Sequence, residues 1–246
     1  MVWLRMPGPA GLIPDNYPID EGTTHRHASA VPGPTGLQTG AAVKASPITE
    51  EERLLAAVAY GESSAADLFE EMAGIAAVVV RQAAARGQTV LNFLNSAEAK
   101  SFTFVLVDGN QRFKLLKAAK ADAFIEKAGI TTALKAARHA LAGNTDYSGG
   151  AYFWDGKDWK TNPDHPKRGK GFRFSKPEHD IYKVGDQLLP EQITYWYRKD
   201  KSGKTVKGAE RGRYTAAYES TAAYGGTVFW RLTPAYVEAT GNKVYR

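Results

Sequence analysis

Residues 54–79 read LLAAVAYGESSAADLFEEMAGIAAVV. An apolar run stops at Tyr60-Gly61-Glu62, and a second begins a few residues on. Leu54, Leu55, Val58 and Ala59 recur at the spacing of one helix face. Just upstream, Ser46 or Thr49 suits the N-cap and Pro47 the first turn. Glu50 to Glu52 favour the positive end of the helix dipole. A second helix is predicted from about Ala65 to Ala85, ended by Gly87.

The break between these helices brings carboxylates together. Glu62 follows a helix end, where the macrodipole disfavours negative charge. Partial burial beside Tyr60 adds to this, because desolvation raises a carboxyl pKa. Both effects favour the protonated acid, the form that protonates a leaving oxygen in glycoside cleavage. An exposed loop glutamate is the plainer alternative. Most glycoside hydrolysis needs a second carboxylate. At about 100° per residue, Glu71 lies about 40° from Ile75, and Glu70 about 140°. Glu71 thus flanks the buried stripe and is the better partner for Glu62. Both residues also suit a helix N-terminus electrostatically.

Toward the N-terminus, residues 1–47 hold seven of the twelve prolines and six glycines. They read as a linker or extended arm, with His25 and His27 solvated rather than bound to metal. Toward the C-terminus, TVLNFLN reads as a helical turn. KSFTFVLVDGNQRF is strand-like or irregular, ahead of a turn at Asp108-Gly109. RFKLLKAAKADAFIEKAG and TTALKAARHALAGN read as two further helices. After Asn144 the texture changes. QITYWYRK, GRYTAAYEST and GGTVFWRLT look like short strands. The fold class is α+β, with a mainly helical domain at residues 48–154 and a β-rich extension at residues 155–246.

The net charge of +6 is unevenly placed. Residues 151–246 hold 18 Lys and Arg against 11 Asp and Glu, and 17 of the 27 aromatic residues. This suits an anionic polymer: nucleic acid, a cell-wall polymer or acidic lipid. The absence of cysteine excludes disulfides, cysteine nucleophiles and thiolate zinc sites. No apolar run approaches the roughly eighteen residues of a membrane span. The N-terminus lacks the apolar core of a secretory signal. His165, His179, Asp164 and Asp180 lie in Pro/Lys-rich loops without metal-ligand spacing, so no metal or other cofactor is expected. His139 reads as a helix surface or groove residue.

YSGGAYFW places Tyr147, Tyr152 and Trp154 around Gly149 and Gly150. Glycines permit close backbone approach to a ligand, and aromatic faces pack on sugar rings. A strand serving the core is the other reading. Asp146 fits a polar cleft position or an Asx turn. Tyr60, Phe102 and Thr103 complete the candidate substrate-binding residues.

Three segments in order carry a resemblance: LAAVAYGESS…EEMAGIAAVVVRQ, SFTFV and ALKAARHALAGNTDYSGGAYFW. Together they resemble the SleB-like cell-wall hydrolases over Glu51 to Trp154. The family pattern is an apolar helix, Tyr-x-Glu-Ala/Ser, a second Glu and an Ala/Val helix. A Phe-Ser/Thr segment and a helix with Gly-Gly-Ala-x-x-Phe/Tyr follow. The chain departs at Val80-Arg81-Gln82, where the family has Leu-Asn-Arg, and through a longer connection at residues 105–130.

The resemblance implies a lysozyme-like fold and cleavage of the MurNAc–GlcNAc β-1,4 bond of peptidoglycan, with Glu62 and Glu71 as the catalytic pair. The chain is also similar to the C-terminal lysozyme domains of type VI secretion effectors. That implies delivery, within a larger protein, into the periplasm of target bacteria. Peptidoglycan glycan strands and a protective immunity protein are then the partners, rather than nucleic acid. Two alternatives stay open. One is a lytic transglycosylase, which uses the sugar's own 6-hydroxyl. The other is a non-catalytic wall- or nucleic-acid-binding module. Retaining or inverting chemistry, and Glu70 or Glu71 as the second carboxylate, are open as well.

Overall fold

The computed structural model describes residues 47–246. The arm expected at residues 1–47, with His25 and His27, lies outside them except for Pro47. Helix α1 (Glu50–Glu62) begins in a capping box. Thr49 Oγ1 accepts from the Glu52 amide at 3.1 Å, and the Glu52 carboxylate accepts from the Thr49 amide at 2.9 Å. Pro47 therefore precedes the cap instead of sitting in the first turn. Helix α2 (Phe69–Ala84) starts later than the expected Ala65. Asp67 breaks the path with a left-handed φ of 53°, a region that Asp tolerates, and pairs with Arg112 at 2.7 Å.

Helices α3 (Val90–Leu94) and α4 (Ala97–Phe102) follow. The strand-like reading of SFTFV fails here. Ser96 caps α4, which runs to Phe102, and a 3-10 turn spans Phe104–Leu106. The single helix expected after residue 111 is two, α5 (Gln111–Lys117) and α6 (Ala123–Glu126). The Ala119 carbonyl turns away to accept from Arg53, and the Asp122 side chain caps Ala123 at 3.0 Å. Helix α7 (Ala128–Leu141) packs on α1 and α2.

The strands follow: β1 (Phe153–Asp155), β2 (Phe172–Arg173), β3 (Gln192–Lys199), β4 (Thr205–Tyr214), β5 (Tyr218–Tyr224) and β6 (Thr227–Leu232). Helix α8 (Asp158–Thr161) lies between β1 and β2, and α9 (Pro234–Thr240) follows β6. One sheet has the order β1-β6-β5-β2, and β3 pairs with β4 in a second sheet. GRYTAAYEST is thus not one strand. The Thr215 carbonyl accepts from Leu189 at 2.7 Å and the Ala217 amide donates to Gly171 at 3.0 Å, which carries the chain from one sheet to the other.

The chain is α+β, with the long helices before residue 142 and the strands after residue 152. The first core joins α1, α2 and α7 and takes in Ala222 and Phe229 from the sheet. Gly74 makes this possible. A Cβ there would lie 2.6 Å from the Phe229 ring, so only glycine lets β6 reach α2. Burying a ring the size of Phe229 stabilises by about 1.5–3 kcal/mol. The boundary expected at residues 154/155 runs through β1, where Trp154 pairs with Phe229. A second core gathers Trp159, Phe172, Tyr218, Trp230 and Tyr236. Among the described residues no helix is long and apolar enough to cross a membrane.

Candidate active site

Glu62 is the last residue of α1. The carbonyls of that last turn are satisfied by side chains from the next layer. Asn110 Nδ2 donates to Gly61 O at 2.7 Å, and Arg112 Nε donates to Tyr60 O at 2.7 Å. The Arg112 guanidinium offsets the negative helix end. Burial, rather than the helix terminus, therefore governs Glu62.

The Glu62 carboxyl is half-buried and accepts from three donors. Thr103 Oγ1 and the Val105 amide (3.5 Å) meet Oε1, and Trp154 Nε1 meets Oε2 at 3.4 Å. Burial pushes its pKa up. The three hydrogen bonds lower it part of the way, and the charge of Asp108 raises it again. Asp108 is exposed on the same loop, where its carboxylate accepts from the Asn110 amide at 3.2 Å. The sequence marked it only as a turn.

Glu71 is placed differently from the expected cleft partner. It is 0% exposed, and both oxygens are taken inside the protein. Oε1 accepts from the Ser64 amide at 3.1 Å, the Gly226 amide at 3.0 Å and Thr227 Oγ1 at 2.8 Å. Oε2 accepts from Ser64 Oγ at 2.6 Å. A carboxylate needs this many donors to stay buried. Glu71 fastens the α1–α2 break to the β5–β6 turn. Glu70 is half-buried beside it.

Gly225, at φ 57°, lies so close that a Cβ would overlap the Glu71 carboxylate. Gly225→Ala is expected to cost about 1–3 kcal/mol through this overlap and the left-handed backbone. The reading is a lower urea midpoint with an unchanged slope. An unchanged midpoint would show that the turn tolerates a displaced Glu71.

The loop over residues 146–152 is fastened from beneath by α2. Arg81 donates to Asp146, to the Ala151 carbonyl and, at 3.1 Å, to Ser148 Oγ. Gln82 Nε2 donates to Tyr152 O at 2.6 Å. Burial alone would raise the Asp146 pKa. Hydrogen bonds from Ser148, the Arg81 charge and the Gly150 amide outweigh it and hold the carboxyl below its usual range. Asp146 is thus the loop's internal anchor, as in the Asx-turn reading. The departure Val80-Arg81-Gln82 supplies the fasteners.

Gly149, at φ 60°, makes its close approach to the Thr221 carbonyl, 2.9 Å from where a Cβ would sit. That approach serves β5 and not a ligand. Gly150, at φ 83°, faces open space. Tyr147 packs edge-on against Phe69 and Tyr224. Tyr152 is half-buried with Arg81 over its ring. Tyr60 is buried under the Arg112 guanidinium, 3.8 Å from its ring centroid, which removes it from a cleft wall. Phe102 ends α4, and its side chain lies outside the described residues. Of the expected binding residues, Thr103 and Trp154 touch Glu62.

The residues weighed for zinc do not converge. His179 bonds Ser220 Oγ at 2.9 Å, and Asp180 caps the Val184 and Gly185 amides. His165 instead meets Asp155 at 3.2 Å and Asp158 at 3.5 Å, a set with the size of a cation site. Lys167 already occupies both Asp155 oxygens, at 2.7 and 2.8 Å. Burial would lower the His165 pKa, but hydrogen bonds to both carboxylates and their charge push it up to about 9. His165 and Lys167 thus share the Asp155 and Asp158 carboxylates in one ion-pair network. Compared with known proteins, the chain matches no family model, no curated protein and no solved structure.

Proposed function

We propose that this chain is a peptidoglycan glycosidase of the lysozyme type, with Glu62 as general acid at the MurNAc–GlcNAc β-1,4 bond. The observation that carries the reading is Glu62 itself. It is a partly desolvated carboxyl with a raised pKa at a helix end, held by Thr103, Val105 and Trp154. An acid whose pKa is raised by burial holds its proton to higher pH and can give it to a glycosidic oxygen as the bond breaks. On this reading residues 48–154 are lysozyme-like, and the β-rich part is an addition that completes their core. The sequence resemblance supports an antibacterial effector acting in the periplasm of target bacteria, with an immunity protein as its inhibitor.

The burial of Glu71 favours a second reading of the same site. With Glu62 working without Glu71, the sugar's own 6-hydroxyl is the nucleophile and the product is a 1,6-anhydro sugar. Hydrolysis instead needs a second carboxylate to activate water. Asp108 is the acid whose charge reaches Glu62. Mass spectrometry of digested sacculi tests both. Reducing MurNAc ends mean hydrolysis, 1,6-anhydro ends mean the transglycosylase, and intact strands overturn the proposal.

Asp108→Asn adds a pH test. Removing its charge lowers the Glu62 pKa, because a nearby negative charge raises it. The alkaline limb of the lysis profile is expected to move to lower pH. An unmoved limb would separate Asp108 from the acid.

A further inference from the structure

The β3–β4 sheet carries a surface that the Glu62 site does not use. Its register breaks twice, and Gly208 and Ala209 together oppose Trp196, between the pairs Tyr195↔Glu210 and Tyr197↔Lys207. A bulge of this kind bends its own strand, here β4, and raises the local twist. A Cβ on Gly208 would lie 3.1 Å from the Trp196 carbonyl, so glycine suits this close approach. Trp196 and Tyr197 remain 55% and 65% exposed. With Arg198, Gly208 and Ala209 they line a depression of about 310 Å³.

The charge around this depression is one-sided. Residues 192–214 carry seven Lys and Arg against two Asp and Glu. Arg213 is ion-paired with Glu191 and Glu210. Arg198, Lys201 and Lys204 have no ion pair among the described residues. Lys207 lies 3.3 Å from the Tyr195 ring centroid and Arg211 4.2 Å from that of Trp196. These cations flank aromatic faces instead of neutralising acids. A purely apolar partner would strip water from them without replacing it. A purely ionic partner would have no use for two exposed aromatic rings. A polymer with both pyranose faces and carboxylates satisfies both features.

We propose that the exposed β3–β4 hairpin is a second glycan-binding site, where Trp196 and Tyr197, successive on β3 and so on its two faces, stack on sugar rings of wall strands and the surrounding Lys and Arg meet their peptide carboxylates. The site rests on the wall-glycosidase reading for the identity of its ligand. It tethers the enzyme to an insoluble polymer while Glu62 works elsewhere on the strand.

The test is co-sedimentation of the full chain with purified sacculi, in a Glu62→Gln background that leaves strands intact. Trp196→Ala with Tyr197→Ala, and separately Arg198→Glu with Lys201→Glu and Lys204→Glu, are each expected to weaken binding about tenfold or more. Binding is also expected to fall with added salt. With Glu62 present, the same hairpin variants keep their rate on short soluble muropeptide oligomers and lose rate on sacculi. Unchanged sacculus affinity in both variants overturns the site. So does a tighter hairpin-dependent affinity for oligothymidylate than for sacculi, which would make the hairpin a nucleic-acid binder. Hairpin-dependent sacculus binding by a protein that cuts no glycan sinks the glycosidase reading alone. Glycan cleavage with hairpin-independent binding sinks this site alone.

Discussion

Glu62→Gln is expected to remove strand cleavage while making the folded protein more stable at neutral pH. General acid catalysis contributes roughly 10²–10⁴-fold, so lysis of sacculi should fall by that factor. The stability gain follows from the raised pKa. Folding favours the protonated carboxyl, so its contribution is full below the unfolded pKa. It is lost as pH rises through the folded pKa. An amide stays neutral throughout. Its oxygen can still accept from Thr103 and Val105, and only the long contact from Trp154 at 3.4 Å is given up. Thermal melts of both proteins at pH 4 and pH 8 check this. The variant should melt higher at pH 8, with the difference shrinking toward pH 4. A lower melting point at pH 8 would contradict the desolvated-acid account, and retained lysis would remove Glu62 from the chemistry.

Glu71→Ala is expected to be the most destabilising single change in the site, at about 1–3 kcal/mol for each donor left without an acceptor. It leaves the half-buried Ser64 and Gly226 amides and the buried Thr227 hydroxyl without their acceptor. Glu71→Gln should be far milder, at about 1 kcal/mol. Three donors converge on Oε1, which an amide retains. Oε2 faces only the Ser64 hydroxyl, and a hydroxyl can turn to accept from an amide nitrogen. Urea melts of the two variants measure the difference. Muropeptide release assigns the role. A positioning residue keeps lysis within a few-fold in Glu71→Gln. A loss of a hundredfold with the fold intact would return Glu71 to the reacting atoms.

These two glutamates show how far local sequence carries. The capping residues and apolar spacing around Leu54 to Val79 place α1, α2 and the break between them, because those signals act within a turn or two. They also put Glu62 at a helix end and Glu71 beside the buried stripe. They do not distinguish a cleft rim from full burial. That depends on Gly226 and Thr227, which belong to a turn far along the chain. Asp108 was hidden for a similar reason, since its Asx-turn role and its field at Glu62 use the same carboxylate. Gly149 and Gly150 have positive φ, and the close approach expected toward a ligand is, at Gly149, toward Thr221. The break between α5 and α6 is set by Arg53, a tertiary contact that outweighs local helix preference.

The link from Glu71 to Gly226 and Thr227 spans 155 and 156 positions. Contacts of such high sequence separation form only after the intervening chain has been ordered. A nascent chain emerging from the ribosome holds α1 and α2 long before the strand turn that locks them exists. The break between α1 and α2 is therefore locked only after the β5–β6 turn has been made. A product that stops before Gly226 would carry Glu71 without the Gly226 and Thr227 donors.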